Sequence, residues 1–125
     1  MSIALNHTIV WCRDKRRSAT FLAEILGRPA PRNSGYFLVV ELDNGVSLDF
    51  GDTDRDISIQ HYAFLVGEDD FDAIWGRIRE RGRQFWADPF RRQPGRINTN
   101  DGGRGLYWAD PNGHNLEIIT RPYGG

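Results

Sequence analysis

Two histidines and two carboxylates of this sequence stand at matching places in its two halves. His7 and His61 lie in segments that alternate like strands, and Asp49 and Glu117 lie in later segments of the same kind. Imidazole and carboxylate groups are ordinary ligands of divalent first-row metal ions. If the two halves are related by a pseudo-twofold axis, the four side chains converge on one ion. The sequence therefore predicts a single divalent ion, Fe, Mn, Ni, Co or Zn.

An internal repeat relates these four residues. Residues 44–50 match residues 112–118 position for position, which aligns Asp49 with Glu117. Each segment is preceded by the same order of elements, in which a strand carrying the histidine is followed by an amphipathic helix that ends at Gly27 or Gly82. This order predicts a duplicated strand–helix–strands unit, with extra residues inserted in the second copy.

Strand parity places the ionisable residues on one face of each predicted sheet. Successive side chains of a strand point to opposite faces, so Glu117 lies opposite the apolar set that would cover a helix. His7, Asp49 and His61 fall on the corresponding faces. Each residue also has a simpler interpretation, as a hydrogen-bonded structural histidine or as a carboxylate on a solvated sheet. The repeat favours metal binding, because four unrelated surface residues need not obey it.

The elements that must position these residues follow from hydrophobic periodicity and turn residues. Helices are expected at 16–26 and from 68 to Gly82. Strands are expected at 3–12, 36–42, 46–50, 59–66, 84–87, 106–109 and 114–120. This mixture predicts an α+β fold.

Three segments carry a resemblance to a known family. They are Leu5 to Val10, Gln60 to Phe64 and, most specifically, Leu106 to Glu117. Together the segments resemble the vicinal oxygen chelate superfamily, which includes glyoxalase I, extradiol dioxygenases and bleomycin-resistance proteins. The resemblance implies two βαβββ modules, at about 1–54 and 57–125 with an inserted loop at 87–104. It also implies that they form one cupped mixed sheet with helices on the outer face.

The same resemblance implies ligands and chemistry. His7, His61 and Glu117 take the family's metal positions, and Asp49 takes a fourth place that is usually Glu in glyoxalase I. The implied activity is lyase or isomerase chemistry on a substrate that chelates the ion through vicinal oxygens, with Glu117 or Asp49 moving a proton. The alternatives are an extradiol-type dioxygenase and a non-catalytic binding or resistance protein. Residues 98–100 lack the histidine that the dioxygenase pattern expects.

Candidate substrate contacts are aromatic and basic. Trp11 and Tyr107 could line a pocket, although most aromatic residues of a small domain belong to its core. Arg104 lies in the long irregular stretch that precedes the strand at 106–109, where a binding loop would be expected. Arg121 shares the parity of Glu117, which makes it a candidate cation for an anionic substrate.

Composition restricts the partners. The 125 residues carry a net charge of −1, which argues against nucleic acid or an anionic membrane as a partner. The single cysteine and the absence of a signal-like or membrane-spanning segment predict a soluble cytoplasmic protein. We expect a small-molecule substrate and a homodimer, in which the modules pair within one chain or are exchanged between two.

Overall fold

The chain consists of two compact units whose boundary lies between Ser58 and Ile59. A computed structural model describes residues 2–122. Each unit contains one four-stranded mixed sheet and one helix in the order βαβββ. The predicted α+β class with two βαβββ modules is therefore confirmed.

The first unit has its sheet in the strand order β1-β4-β3-β2, with β1 parallel to β4 and the other pairs antiparallel. Its elements are β1 (His7–Cys12), α1 (Lys15–Leu26), β2 (Arg32–Ser34), β3 (Phe37–Glu41) and β4 (Ser47–Asp52).

The second unit repeats this topology in the order β5-β8-β7-β6, with β5 parallel to β8. Its elements are β5 (His61–Leu65), α2 (Glu68–Glu80), β6 (Phe85–Trp86), β7 (Gly105–Ala109) and β8 (Asn115–Ile119). A short 3-10 helix (Asn100–Gly102) lies between β6 and β7.

Local sequence explains both helices. Asp14 caps α1 by accepting a hydrogen bond from the backbone N–H of Arg17, and Gly27 ends the helix in a left-handed conformation. Helix α2 has three acidic residues in its first turn and two arginines in its last, which complement the helix dipole. Its Phe71, Ile74 and Ile78 are buried.

Burial follows the predicted parity. In the first unit Val10, Leu48 and Phe50 are almost fully buried, while the face of β1 that carries His7 is exposed. In the second unit the buried apolar face is formed by Phe64, Leu106, Trp108, Leu116 and Ile118. The opposite face of each sheet carries the predicted ligands, beside aromatic and some aliphatic side chains.

Most predicted strand ends agree with the structure to within one or two residues, with two larger differences. Strand β1 begins at His7 rather than at residue 3, since its partner β4 pairs from Ser47 onward. Strand β2 was not predicted, because its three residues are exposed and follow Pro31, so they show no apolar alternation. Among the described residues, no helix has the length and apolar content needed to cross a membrane.

Candidate functional site

The second unit brings a predicted pair of ligands into direct contact. Nε2 of His61 lies 2.9 Å from Oε1 of Glu117. Strand register accounts for this, because Glu117 pairs with Ala63 and His61 is two positions earlier on the same face of β5. The Glu117 side chain has 0% of its surface exposed, whereas the His61 side chain has 46%. A ligand can therefore approach from the imidazole side.

Aromatic side chains extend the same face across the sheet. Tyr107 on β7 pairs with Glu117, and Trp86 on β6 pairs with Tyr107, so the three residues form one cross-strand row. The Tyr107 and His61 rings have their centroids 5.8 Å apart. Both aromatic residues are nearly buried, as is the Glu117 side chain beside them.

This geometry suits a metal ion. Burying a carboxylate is costly unless a cation or hydrogen-bond donors compensate for its lost hydration. Two donor atoms in adjacent positions of an octahedral ion, with bonds of about 2.1 Å, are about 3.0 Å apart. The observed N···O distance of 2.9 Å matches that spacing. His61 and Glu117 can therefore act as two neighbouring ligands with only a small adjustment.

The first unit presents its own pair in the same register. Asp49 pairs with Ile9, two positions after His7, just as Glu117 pairs with Ala63. Nδ1 of His7 lies 2.7 Å from Oδ1 of Asn6. In the tautomer that carries its proton on Nδ1, His7 donates to this amide oxygen and keeps the Nε2 lone pair for a ligand. The shorter Asp49 carboxylate accepts a hydrogen bond from the Ser47 hydroxyl at 3.0 Å.

Trp11 lies on this face of the first unit. Its side chain is 44% exposed, and its ring packs against Phe37 at a centroid distance of 6.3 Å. Gly51 separates the two rings; a Cβ there would lie 2.9 Å from an atom of each. The missing side chain therefore lets the rings meet on the face that carries His7.

Within either unit, no third His, Cys, Asp or Glu among residues 2–122 joins a pair to form a metal-binding group of three. His114, which the sequence places on the opposite face from Glu117, is buried and accepts a hydrogen bond at Nδ1 from the backbone N–H of Gln60.

The two predicted substrate-binding arginines have different surroundings. Arg104 binds helix α2: its guanidinium contacts Glu68 Oε1 and Asp72 Oδ1, each at 2.8 Å, and lies 4.4 Å from the centre of the Phe71 ring. Arg121 is exposed beyond the end of β8.

A third arginine lies nearer to the second-unit pair. The Arg91 guanidinium stacks 4.8 Å from the centre of the Trp86 ring and donates to Oδ1 of Asn115 at 3.2 Å. Asn115 is the cross-strand neighbour of His61. The sequence marks Arg91 only as one of several loop arginines, because nothing in its spacing shows that the loop folds back over the sheet.

Comparison with known proteins agrees with the topology of the two units. The model of the Glyoxalase/Bleomycin resistance protein/Dioxygenase superfamily matches residues 4–118. The chain belongs to this superfamily. The family predicted from the three sequence segments is thereby confirmed.

Relatives within the superfamily are named as enzymes of different kinds. Two solved structures, oxidase ChaP-H1 and oxidase ChaP-H2, are each 62% identical in sequence, with a TM-score of 0.97. They match 99% and 100% of this chain and 100% and 98% of their own chains, respectively. The glutathione transferase FosA of Serratia marcescens is 31% identical over 122 residues, which cover 92% of this chain and 79% of FosA.

Proposed function

We propose that this protein is a metal-dependent oxidase acting on a small molecule with vicinal oxygens. The contact between His61 and the fully buried Glu117 carries the metal assignment. The two oxidases that are 62% identical over nearly the whole chain support the oxidative class.

The residues of this chain have separate roles in the proposed site. His61 and Glu117 hold the ion, and His7 of the first unit, from the same chain or from a second copy in a homodimer, completes a set of two histidines and one carboxylate. Such a set leaves coordination positions open and is typical of non-haem iron oxygenases. When bound, the ion supplies Lewis acidity and one-electron chemistry with dioxygen.

The remaining candidate residues have three roles: substrate binding, proton transfer and support of the sheet. Tyr107 packs against the His61 ring and keeps water from the Glu117 side. Trp11 offers an exposed indole on the face that carries His7. The partly exposed Asp49 carboxylate takes the substrate proton. Arg121 contributes positive charge beyond β8, and Arg104 fixes the start of β7 against α2.

Lyase or isomerase chemistry of the glyoxalase kind is the second candidate. It is favoured by the register of Asp49, which is equivalent to that of Glu117 and would give a fourth ligand. Occupation of a fourth position by protein leaves less room for a second exogenous molecule beside the substrate. The two candidates therefore differ in their need for dioxygen.

The test is anaerobic loading with ferrous iron followed by addition of nitric oxide, a dioxygen surrogate, with and without catechol. We expect one iron per chain and the EPR signal of a ferrous–nitrosyl complex that changes with catechol. His61→Ala should abolish both. Stoichiometric iron without a nitrosyl signal would contradict the oxidase and favour the lyase or isomerase. Failure to bind any divalent metal would contradict both.

A further inference from the structure

Arg91 is held in a backbone conformation that arginine seldom adopts. Its φ is +60°, in the left-handed region. An L-residue with a side chain occupies this region at a cost of about 1–2 kcal/mol, and such strain concentrates at functional sites. Glycine or asparagine would be the less costly choice at this position.

Hydrogen bonds within the loop impose that conformation. Asp88 Oδ1 accepts hydrogen bonds from the backbone N–H of Arg92 at 2.9 Å and of Gln93 at 2.8 Å. Desolvation opposes ionisation of Asp88, but these N–H donors together hold its pKa below the usual value. The backbone N–H of Ala87 donates to the carbonyl of Gln93 at 3.1 Å and closes the loop. The backbone around Arg91 is thus fixed, and the exposed Arg91 side chain contacts Trp86 and Asn115.

The position of the guanidinium connects the loop to the paired ligands. It spans from Trp86, in the cross-strand row of Glu117, to Asn115, the cross-strand neighbour of His61. Neither of these partners carries a formal charge, so the arginine's positive charge is not neutralised by them. A guanidinium held in this way is prepared for an anionic oxygen.

A cleft beside Arg91 provides room for a ligand. Its volume is about 270 Å³, and it is lined by Gly82, Arg83, Gln84, Trp86, Arg91 and Ala109. Ala109 pairs with Asn115, so the cleft opens next to the row that carries His61. Arg83 adds a second guanidinium to the lining.

We propose that Arg91 is the anion-recognition residue of this site, and that the substrate carries a carboxylate that enters the adjoining cleft. The proposal rests on the proposed function only in placing the vicinal oxygens of the same substrate at His61 and Glu117. The carboxylate binds Arg91 through charge-assisted hydrogen bonds, while Trp86 supports the guanidinium from below.

The test compares two probes that share a vicinal diol, catechol and 3,4-dihydroxybenzoate, of which only the second has a carboxylate. Dissociation constants are measured by calorimetry on the Co(II)-loaded full chain. A charge-assisted hydrogen bond is worth a factor of about 10–100 in affinity, so we expect the wild type to prefer the carboxylate probe by at least about tenfold. Arg91→Asn, which tolerates the left-handed backbone, should lose most of this preference, because only Arg83 remains as a guanidinium of the cleft.

Arg92→Asn is the matched control, since Arg92 lies in the same loop with its guanidinium over Phe90. It should keep the wild-type preference. Arg91→Gly is a second loss variant in case the asparagine variant does not fold. No preference in the wild type, or a preference that persists undiminished without Arg91, would overturn the proposal.

Benzoate, which has no diol, separates the two proposals. In metal-free protein, the affinity for benzoate should fall on Arg91→Asn. If it does, but catechol binding depends on neither metal nor Glu117, only the proposed oxidase is contradicted. If catechol binding requires Glu117 and metal but Arg91→Asn leaves the benzoate affinity unchanged, only the anion-recognition role is overturned.

Discussion

Glu117 is completely buried, yet the imidazole of His61 that contacts it has almost half of its surface exposed. The carboxylate is therefore shielded from water, and the histidine is the accessible member of the pair. An incoming ion would bind the imidazole first and then the carboxylate, for which little water competes. Burial of one partner and exposure of the other suit a site that is both tight and accessible.

The two equivalent carboxylates should differ in their effect on metal binding. Glu117→Gln removes a buried anion that already contacts a histidine, so we expect Co(II) affinity to fall by more than the roughly 10–100-fold typical of losing an outer-shell group. Asp49→Asn should cost less, because Asp49 is shorter and bound to Ser47. Visible absorption during Co(II) titration measures both.

Glu41→Gln is the control for these two variants, since Glu41 is an exposed carboxylate paired with Arg32 at 2.8 Å. Its Co(II) affinity should equal that of the wild type. An equal loss in the Asp49 and Glu117 variants would instead show that four protein ligands hold the ion.

The contact between Trp11 and Phe37 should be sensitive to a single methyl group. Gly51→Ala places a Cβ within 2.9 Å of both rings, so one ring must move. We expect a loss of about 1–3 kcal/mol in the free energy of unfolding, as for other overpacked sites. Urea denaturation monitored by tryptophan fluorescence gives the value.

Gly76→Ala is the matched control because Gly76 lies within α2 and a Cβ there meets nothing within 4 Å. Replacing a helical glycine by alanine should stabilise the protein by about 0.5–1 kcal/mol. A similar loss in both variants would show that the effect at position 51 does not come from the two rings.

Arg104 should matter more for stability than for ligand binding. Its side chain connects Glu68 and Asp72 on α2 and covers the ring of Phe71, which is fully buried. We expect Arg104→Gln to lower Tm by about 5 °C, with the affinity for 3,4-dihydroxybenzoate unchanged. Calorimetry of unfolding and of binding tests the two parts, and a selective loss of affinity would instead support a direct role in the substrate site.

The same cluster predicts a pH dependence. Hydrogen bonds from Thr120 and then Arg104 lower the pKa of Glu68, and the hydrogen bond from Arg104 lowers that of Asp72. Carboxylates with a lowered folded-state pKa stabilise the protein above their ordinary pKa and lose that contribution as pH falls through the folded values. Between about pH 5 and pH 2, wild-type Tm should therefore fall more than that of Arg104→Gln. Parallel curves would contradict this linkage.

The second-unit pair was predictable from sequence for a simple reason. Strand parity assigns each side chain to a face, and residues 44–50 and 112–118 fix which strands correspond. His61 and Glu117 then differ by one diagonal step across β5 and β8, which is the contact found. The two helices were equally predictable from the sequence, since Gly27 and the acidic start of α2 are strong local signals.

Arg91 was not predictable, because its position depends on long-range closure of a loop. The sequence shows an irregular stretch with several arginines, whereas the structure orders it through Asp88 and a bridge between Trp86 and Pro94. No periodic pattern reveals which guanidinium returns to the sheet. Strand β2 escaped prediction for a related reason, since only its pairing with β3 makes it a strand.

The left-handed backbone at Arg91 has an evolutionary consequence. Folding energy alone favours glycine or asparagine at that position, so arginine persists there only under selection for its side chain. A lineage that no longer used the guanidinium would drift to the less strained residues by single substitutions. The residue found at this position in related sequences would then serve as a marker of whether a given member acts on carboxylate-bearing compounds.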